Sequence, residues 1–213
     1  QVFNKIRGFI SEEEATDLIM MTPERVELML LYGYDGGTLY SVLSTLTISF
    51  LKNEDVNDTM ASLEYVFEKF GGVDSGNPEI LKATKTIVQT GAELLRTNND
   101  YEQIVRELLY EIENLDNDKI AAYGKVNGML LGLSEEQDIE EVLGLANEYE
   151  FTQEFLDLLW LGKEKLSSEK LEAIWQNLAE NLSQDDLLPA PQDYEEDVEY
   201  ADSKMRFYVK LVK

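Results

Sequence analysis

Apolar residues recur every three or four positions along most of the chain, a spacing that predicts α-helices. One stripe comprises Leu39, Val42, Leu43, Leu46 and Phe50. Similar stripes continue to about position 182 and predict about ten helices joined by short turns. The pattern therefore predicts an all-α fold, built as an irregular bundle or as a short stack of helical hairpins.

Residues that favour helix starts precede these stripes. Ser11 with Glu14 and Ser134 with Gln137 have the spacing of capping boxes, in which two side chains satisfy free backbone N–H groups. The other predicted first or capping residues are Thr22, Asn53, Asn77, Asn99, Asp116 or Asp118, Thr152, and Ser167 or Ser168. Gly71-Gly72 predicts a helix end, because glycine adopts the backbone conformation that terminates helices.

Two helices carry unusual faces. Opposite its apolar stripe, the helix at 38–51 has serine and threonine but no charge, which predicts a central position or an interface. Gly124, Gly128 and Gly132 are four residues apart on another helix. Since glycine costs roughly 1 kcal/mol in a helix relative to alanine, this row predicts close backbone packing, with a groove for a partner as the alternative.

The end of the chain has a different character. Residues 1–184 are predicted to form the helical domain, followed by an acidic extended segment at 185–202 with eight Asp or Glu, two Pro and no Lys or Arg. Residues 203–213 alternate as a β-strand does, which predicts a minor C-terminal strand or hairpin. The strand has three possible partners: Glu195–Tyr200, Val2–Phe9 or another chain.

Charge narrows the range of partners. The 213 residues include 18 Lys and Arg against 43 Asp and Glu, a net charge of −25. Such a chain lacks the basic surface that nucleic acids and anionic membranes require. It favours a basic protein surface as the partner, because opposite electrostatic fields accelerate association. A homo-oligomer remains open.

Two residue types are missing from the chain. Without Cys, disulfides, thiolate nucleophiles and Cys-type zinc sites are excluded. Without His, the chain lacks the usual general base and the commonest transition-metal ligand. We therefore expect a protein that is not an enzyme and has no catalytic, cofactor-binding or metal-binding residues. The absence of a visible signal peptide or membrane span predicts a cytoplasmic protein.

Acidic residues concentrate between Val126 and Gly162, where nine Asp or Glu occur without any Lys or Arg. A solvated face that only maintains solubility is one interpretation. The other is a surface that binds a basic partner. The candidate partner-binding residues are Glu135, Glu136, Asp138, Glu140, Glu141, Glu148, Glu150 and Glu154, together with Asp193, Glu195 and Glu196 in the acidic segment.

The leading hypothesis is a non-enzymatic acidic protein that docks on a basic protein surface, in its extreme form a DNA mimic that inhibits a nucleic-acid-binding protein. The composition resembles that of small acidic inhibitors from phages and mobile elements, and the resemblance extends to composition alone. The alternative is a structural or assembly subunit, such as a scaffold or chaperone-like protein. Its contacts would be the uncharged helix at 38–51 and the C-terminal strand.

Overall fold

The computed structural model describes residues 36–133, 138–163, 166–178, 203–204 and 206–208. The helices of these ranges are α1 (Gly36–Lys52), α2 (Val56–Lys69), α3 (Pro78–Thr97), a 3₁₀ helix (Asn99–Tyr101), α4 (Glu102–Glu113), α5 (Asp118–Leu130), α6 (Ile139–Glu148), α7 (Thr152–Gly162) and α8 (Ser168–Leu178). The prediction of a mainly helical chain is confirmed, and the described ranges contain no strand. The helices predicted before residue 36 lie outside these ranges.

The chain divides into two compact units, Gln1–Gly124 and Lys125–Lys213, and the boundary falls within α5. The predicted boundaries at 184 and 202 lie outside the described residues, so the division into 1–184, 185–202 and 203–213 stays a prediction. Each unit is described separately below.

Helix α1 is the centre of packing in the first unit, where it contacts α2 and α3. Helix α3 also packs against α2 and α4, which closes a four-helix arrangement. Leu43, Leu63, Ile87 and Leu108, one from each helix, are completely buried. Each such side chain stabilises the fold by about 1.5–3 kcal/mol through removal of apolar surface from water. The uncharged helix is thus part of the core.

Hydroxyl groups within this core are satisfied locally. The buried Thr47 and Thr84 each donate a hydrogen bond to the carbonyl four residues earlier, at 2.8 and 3.0 Å. Between helices, the hydroxyls of Ser44 on α1 and Thr90 on α3 lie 3.0 Å apart. These contacts explain how a serine- and threonine-rich helix enters a core without unsatisfied polar groups.

Several helix starts differ from their predicted positions by a few residues. Asp55 caps α2 in place of Asn53, and Asn98 caps the 3₁₀ helix that precedes α4 in place of Asn99. Asn117 accepts a hydrogen bond from the N–H of Ile120 at the start of α5, between the two aspartates predicted there. The side chain that reaches the free N–H groups depends on the incoming backbone, which residue preference alone does not specify.

Two further starts also required correction. Helix α6 begins after Asp138, whose carboxylate accepts from the N–H of Glu140 at 2.9 Å, so the helix starts later than the capping box at 134 predicts. Thr152 is the first residue of α7 and not its cap. By contrast, Asn77 and Pro78 occupy the cap and first helical position of α3 as predicted, and the Ser167 hydroxyl accepts from the N–H of Lys170 at the start of α8.

Four helices end in the same paired hydrogen-bond pattern, in which the chain turns through a residue with positive φ. Gly71 and Gly132 occupy this position after α2 and α5, with φ of 99° and 70°. Glu54 and Glu150 occupy it after α1 and α6, both with φ of 59°. The left-handed conformation is unfavourable for residues that carry a Cβ, so two glutamates stand where glycine is the easier choice.

The three glycines of the predicted row do not share one role. A Cβ on Gly124 would lie 2.9 Å from Cγ of Glu113 and 3.2 Å from Cγ2 of Ile112, so this glycine permits α4 to approach closely. Gly128 is buried within α5, and Gly132 ends the helix with open space around it. Close internal packing therefore holds at Gly124, whereas Gly132 serves the backbone turn.

In the second unit, α6 and α7 pack against each other. Val142, Leu143 and Ala146 of α6 are buried, as are Phe155, Leu158 and Leu159 of α7. Gly162 at the end of α7 allows this packing, because a Cβ there would lie 2.8 Å from Cδ1 of Ile139.

The described residues of the predicted C-terminal strand, Ser203, Lys204, Arg206, Phe207 and Tyr208, are helical. The physical reason lies in the buried positions. Lys204 and Tyr208 are both buried and are four residues apart, which is the spacing of one helix face. A strand would instead bury Phe207 and the residues two positions away from it. The other residues of that strand, and its proposed partner strands, lie outside the described residues, so the strand stays a prediction there.

Replacing Glu54 or Glu150 with glycine is expected to raise the free energy of unfolding by up to about 1 kcal/mol, because glycine adopts positive φ without the steric cost. The measurement is urea unfolding followed by circular dichroism. Glu64→Gly is the matched control: it removes the same charge from an exposed site within α2 and should lower stability by about 1 kcal/mol. Destabilisation by Glu54→Gly would contradict the assigned turn conformation.

Alanine at Gly124 and at Gly144 is expected to act in opposite directions. At Gly124 the added Cβ meets the backbone and side chain of Glu113, which should cost about 1–3 kcal/mol. Gly144 is exposed within α6, and a Cβ there has no described atom within 4 Å, so alanine should add about 0.4–1 kcal/mol. Thermal unfolding of both variants measures the difference, and equal melting temperatures would be inconsistent with the close approach at Gly124.

Candidate functional site

Helix α6 presents three exposed carboxylates on the side opposite its buried residues. Glu140, Glu141 and Glu148 are exposed, whereas Ile139, Val142, Leu143 and Ala146 are buried. At about 100° of rotation per residue, the three carboxylates occupy a sector of about 100°. We call Glu140, Glu141 and Glu148 the acidic face.

The two ends of α6 explain its acidic residues differently. Asp138, Glu140 and Glu141 lie at the start of the helix, where the backbone dipole favours negative charge by about 0.3–1 kcal/mol per residue. Glu148 is the last residue of α6 and Glu150 follows in the turn, where the dipole favours cations. The last turn of α6 has no basic residue. Local helix stability therefore accounts for the first group and not for the second.

A lysine from a distant part of the sequence partly neutralises the acidic face. The ammonium of Lys170, on α8, pairs with the carboxylate of Glu140. The hydrogen bond and charge of Glu140 raise the pKa of Lys170, with a smaller contribution from Asp138. Both side chains are about half exposed, so solvent screens the pair. Glu141 and Glu148 then carry most of the free charge of the face.

Glu150 and Glu154 are four residues apart in the sequence, a spacing that would place them on one face of a continuous helix, but the structure separates them. Glu150 lies in the turn after α6, and Glu154 is in the first turn of α7. Glu154 is also only 9% exposed, so it does not belong to an accessible acidic surface. The two residues are separated because α6 ends at Glu148 and α7 begins at Thr152, where the sequence also predicts a helix start. Glu135, Glu136, Asp193, Glu195 and Glu196 lie outside the described residues.

A second basic residue meets the acidic stretch at Asp157 of α7. The Nζ atom of Lys204 lies 2.6 Å from Oδ1 of Asp157, and the lysine side chain is only 4% exposed. Four residues later, the Tyr208 hydroxyl donates to the carbonyl of Leu156 at 2.8 Å. The ring of Phe207 packs edge-on against Trp160, with centroids 5.5 Å apart. The described residues of the C-terminal segment, 203–204 and 206–208, are thereby anchored on α7.

The first unit contains a groove that sequence reasoning missed. Two adjoining cavities of about 420 and 350 Å³ share Glu54, Gln103 and Glu107 in their walls. Tyr110, which is 64% exposed, also lines the groove and is the most exposed large hydrophobic residue described. The walls come from the turn after α1 and from α4, about fifty positions apart in sequence. The exposed tyrosine on the face of α4 was the only local signal.

A further charged contact joins α1 and α3. The Tyr40 hydroxyl donates to the carboxylate of Glu79, and the ammonium of Lys82 lies 4.3 Å from the centre of the Tyr40 ring. Partial burial, followed by the hydrogen bond and charge of Glu79, raises the pKa of Tyr40. The tyrosine is therefore held neutral as a donor, which suits a structural link between the helices.

No group of three or more Asp or Glu with the geometry of a metal site occurs among the described residues. Within the same ranges, each helix falls short of the length or apolar character needed to span a membrane. Comparison of the chain with protein-family models, curated proteins and solved structures gives no match.

Replacing Glu140 with glutamine is expected to lower the pKa of Lys170 towards its ordinary value of 10.5, because the negative charge is lost and the remaining hydrogen-bond acceptor is neutral and weaker. The raised pKa means that the pair stabilises the folded state below about pH 10.5. That contribution disappears as the pH rises through the raised value. Titration of the Lys170 side chain by NMR measures the change. Asp138→Asn is the control and should produce a smaller decrease, and an unchanged pKa in Glu140→Gln would contradict the pairing.

Proposed function

We propose that this chain is a non-enzymatic binding protein whose second unit docks on a basic protein surface. The observation that carries the proposal is the position of Glu148 and Glu150 at the C-terminal end of α6. Both are exposed, and both occupy places where the helix dipole favours a cation. Glu150 additionally adopts a conformation that favours glycine. Carboxylates that oppose local stability are reasonable where charge itself is the functional property.

The extent of the charged row supports a partner that binds extended anions. Asp138, Glu140, Glu141 and Glu148 span about 15 Å of helix at 1.5 Å per residue. Three of the carboxylates lie within about 5 Å at the start of α6 and the fourth about 10 Å further on, so the row matches a short length of DNA in extent and not in the regular 3.4 Å step per phosphate. The finer proposal is therefore a DNA mimic that occupies the phosphate-binding surface of a nucleic-acid-binding protein.

The alternative, an assembly subunit with apolar contacts, has less support. Its first contact surface was the uncharged helix, and α1 uses its stripe to pack on α2 and α3. On α1, Ser41 and Thr45 are exposed, and both are small and polar. Its second contact surface was the C-terminal strand, whose described residues are instead helical and anchored on α7.

The test is a charge reversal, Glu148→Lys with Glu150→Lys, and the probe is a fluorescent decalysine peptide followed by anisotropy over a salt series. We expect the wild-type affinity to fall steeply with salt. The double variant should bind the probe on the order of tenfold more weakly. Its melting temperature should be unchanged or higher, because lysine at this end of α6 complements the helix dipole.

The matched control is Glu64→Lys with Glu93→Lys, which changes the net charge equally at exposed sites on α2 and α3 of the first unit. Binding that weakens as much in the control as in the α6 variant would reduce the effect to net charge and reject the proposed surface. For the DNA-mimic proposal, the wild-type chain should displace a DNA duplex from its binding protein. Displacement that persists after reversal of Glu140, Glu141 and Glu148 would rule that proposal out.

A further inference from the structure

The end of the chain is positively charged, as the proposed partner is, whereas the chain as a whole is negatively charged. Positions 203–213 contain four Lys or Arg and no Asp or Glu, in a chain with a net charge of −25. The described part of this stretch contacts α7. Helix α7 belongs to the interval 126–162, which has no basic residue of its own.

The segment contacts α7 through an ion pair, a hydrogen bond and an aromatic contact, as a basic ligand would contact an acidic surface. Lys204 pairs with Asp157, and Tyr208 binds a main-chain carbonyl of the same helix. Lys204 and Tyr208 are one helical turn apart, so a short helix presents both to α7. Phe207 adds an aromatic contact with Trp160.

Lys204 and Tyr208 are buried against α7, whereas the carboxylate that Lys204 contacts remains partly accessible. An ion pair that is taken out of water loses much of its Coulomb attraction to desolvation. Asp157 is still 31% exposed, so an external cation has access to the same carboxylate. A partly exposed carboxylate that already binds an internal lysine is a site for which internal and external cations compete.

We propose that the C-terminal segment is an internal basic ligand of the second unit and competes with the external basic partner for the surface around Asp157. This inference rests on the proposed function, because it requires that a basic partner binds the same unit. The segment then sets the affinity of the protein: the apparent affinity for a partner equals the intrinsic affinity reduced by the fraction of molecules in which the segment is displaced.

The test compares two charge reversals within the segment in the full chain. Lys204→Glu places a carboxylate next to Asp157 and should displace the segment, whereas Arg206→Glu changes an exposed residue by the same charge. If the segment covers its site in about nine molecules of ten, Lys204→Glu should bind decalysine about tenfold more tightly than Arg206→Glu. Hydrogen exchange of the 203–208 amides should accelerate in Lys204→Glu, and in the wild type on saturation with decalysine.

Tyr208→Phe is the milder variant, since it removes one hydrogen bond and retains the ring. It should give a smaller increase in affinity with a melting transition close to the wild type, which keeps the test valid if Lys204→Glu perturbs the fold. Equal affinities of Lys204→Glu, Arg206→Glu and Tyr208→Phe would overturn the competition, as would amides that stay protected in the saturated complex.

The outcomes also separate this inference from the proposed function. Salt-dependent binding that depends on Glu148 and Glu150, but not on Lys204, would leave the acidic docking surface standing and reject the internal ligand. Binding to Lys204→Glu with none to the wild type would support complete occlusion by the segment. Failure of the wild type and of Lys204→Glu to bind decalysine at low salt would reject both proposals.

Discussion

Mutual repulsion among 43 carboxylates, against only 18 basic side chains, opposes the folding of this chain, because compaction brings like charges together. Charged side chains are almost completely excluded from the described core, so the like charges stay at the surface. Its interior consists of aliphatic and aromatic side chains with a few hydroxyls, and each of those hydroxyls has a partner nearby, as at Thr47 and Thr84. Among the residues that the structure describes, Glu154 and Lys204 are the charged ones that are buried. Apolar burial therefore has to outweigh both conformational entropy and repulsion at the surface.

The few basic residues gain importance from this imbalance. Lys170 and Lys204 come from outside the stretch at 126–162 that lacks basic residues, and tertiary packing brings them to Glu140 and Asp157. The pattern of uncompensated charge is thus a property of the folded unit and not of the sequence interval. Glu141, Glu148 and Glu150 are left as the exposed carboxylates with the clearest functional interest. In this arrangement, the unit that we propose to bind a basic partner already contains an ion pair with a basic segment of its own chain.

Acidic residues also occupy two backbone positions with positive φ, a conformation that glycine adopts more easily. Glu54 and Glu150 both sit in the left-handed turn after a helix. The two sites differ in their surroundings, because Glu54 lines the groove beside Tyr110, whereas Glu150 follows the acidic face. Local strain of this kind is small, of the order of 1 kcal/mol per residue, and a well-packed unit tolerates it. At these two described positions, the chain has a surface charge where glycine would give a more stable turn.

The sequence alone predicted the helical class, the apolar faces of α1 to α4 and the helix end at Gly71, and it excluded chemistry that needs His or Cys. Each of these depends on residue type and on spacing along one element. The sequence did not show the later starts of α2 and α6, the positive φ of Glu150, the burial of Glu154 or the groove at Tyr110. In the C-terminal segment, the buried residues that the structure describes, Lys204 and Tyr208, are polar, and their spacing is not the alternation that predicts a strand. Those features depend on which distant residue contacts each side chain. In the C-terminal segment, Asp157 pairs with Lys204 and the Leu156 carbonyl accepts from Tyr208, so polar residues occupy the buried positions. Only the tertiary structure decides such contacts, since their energies arise between residues far apart in the chain.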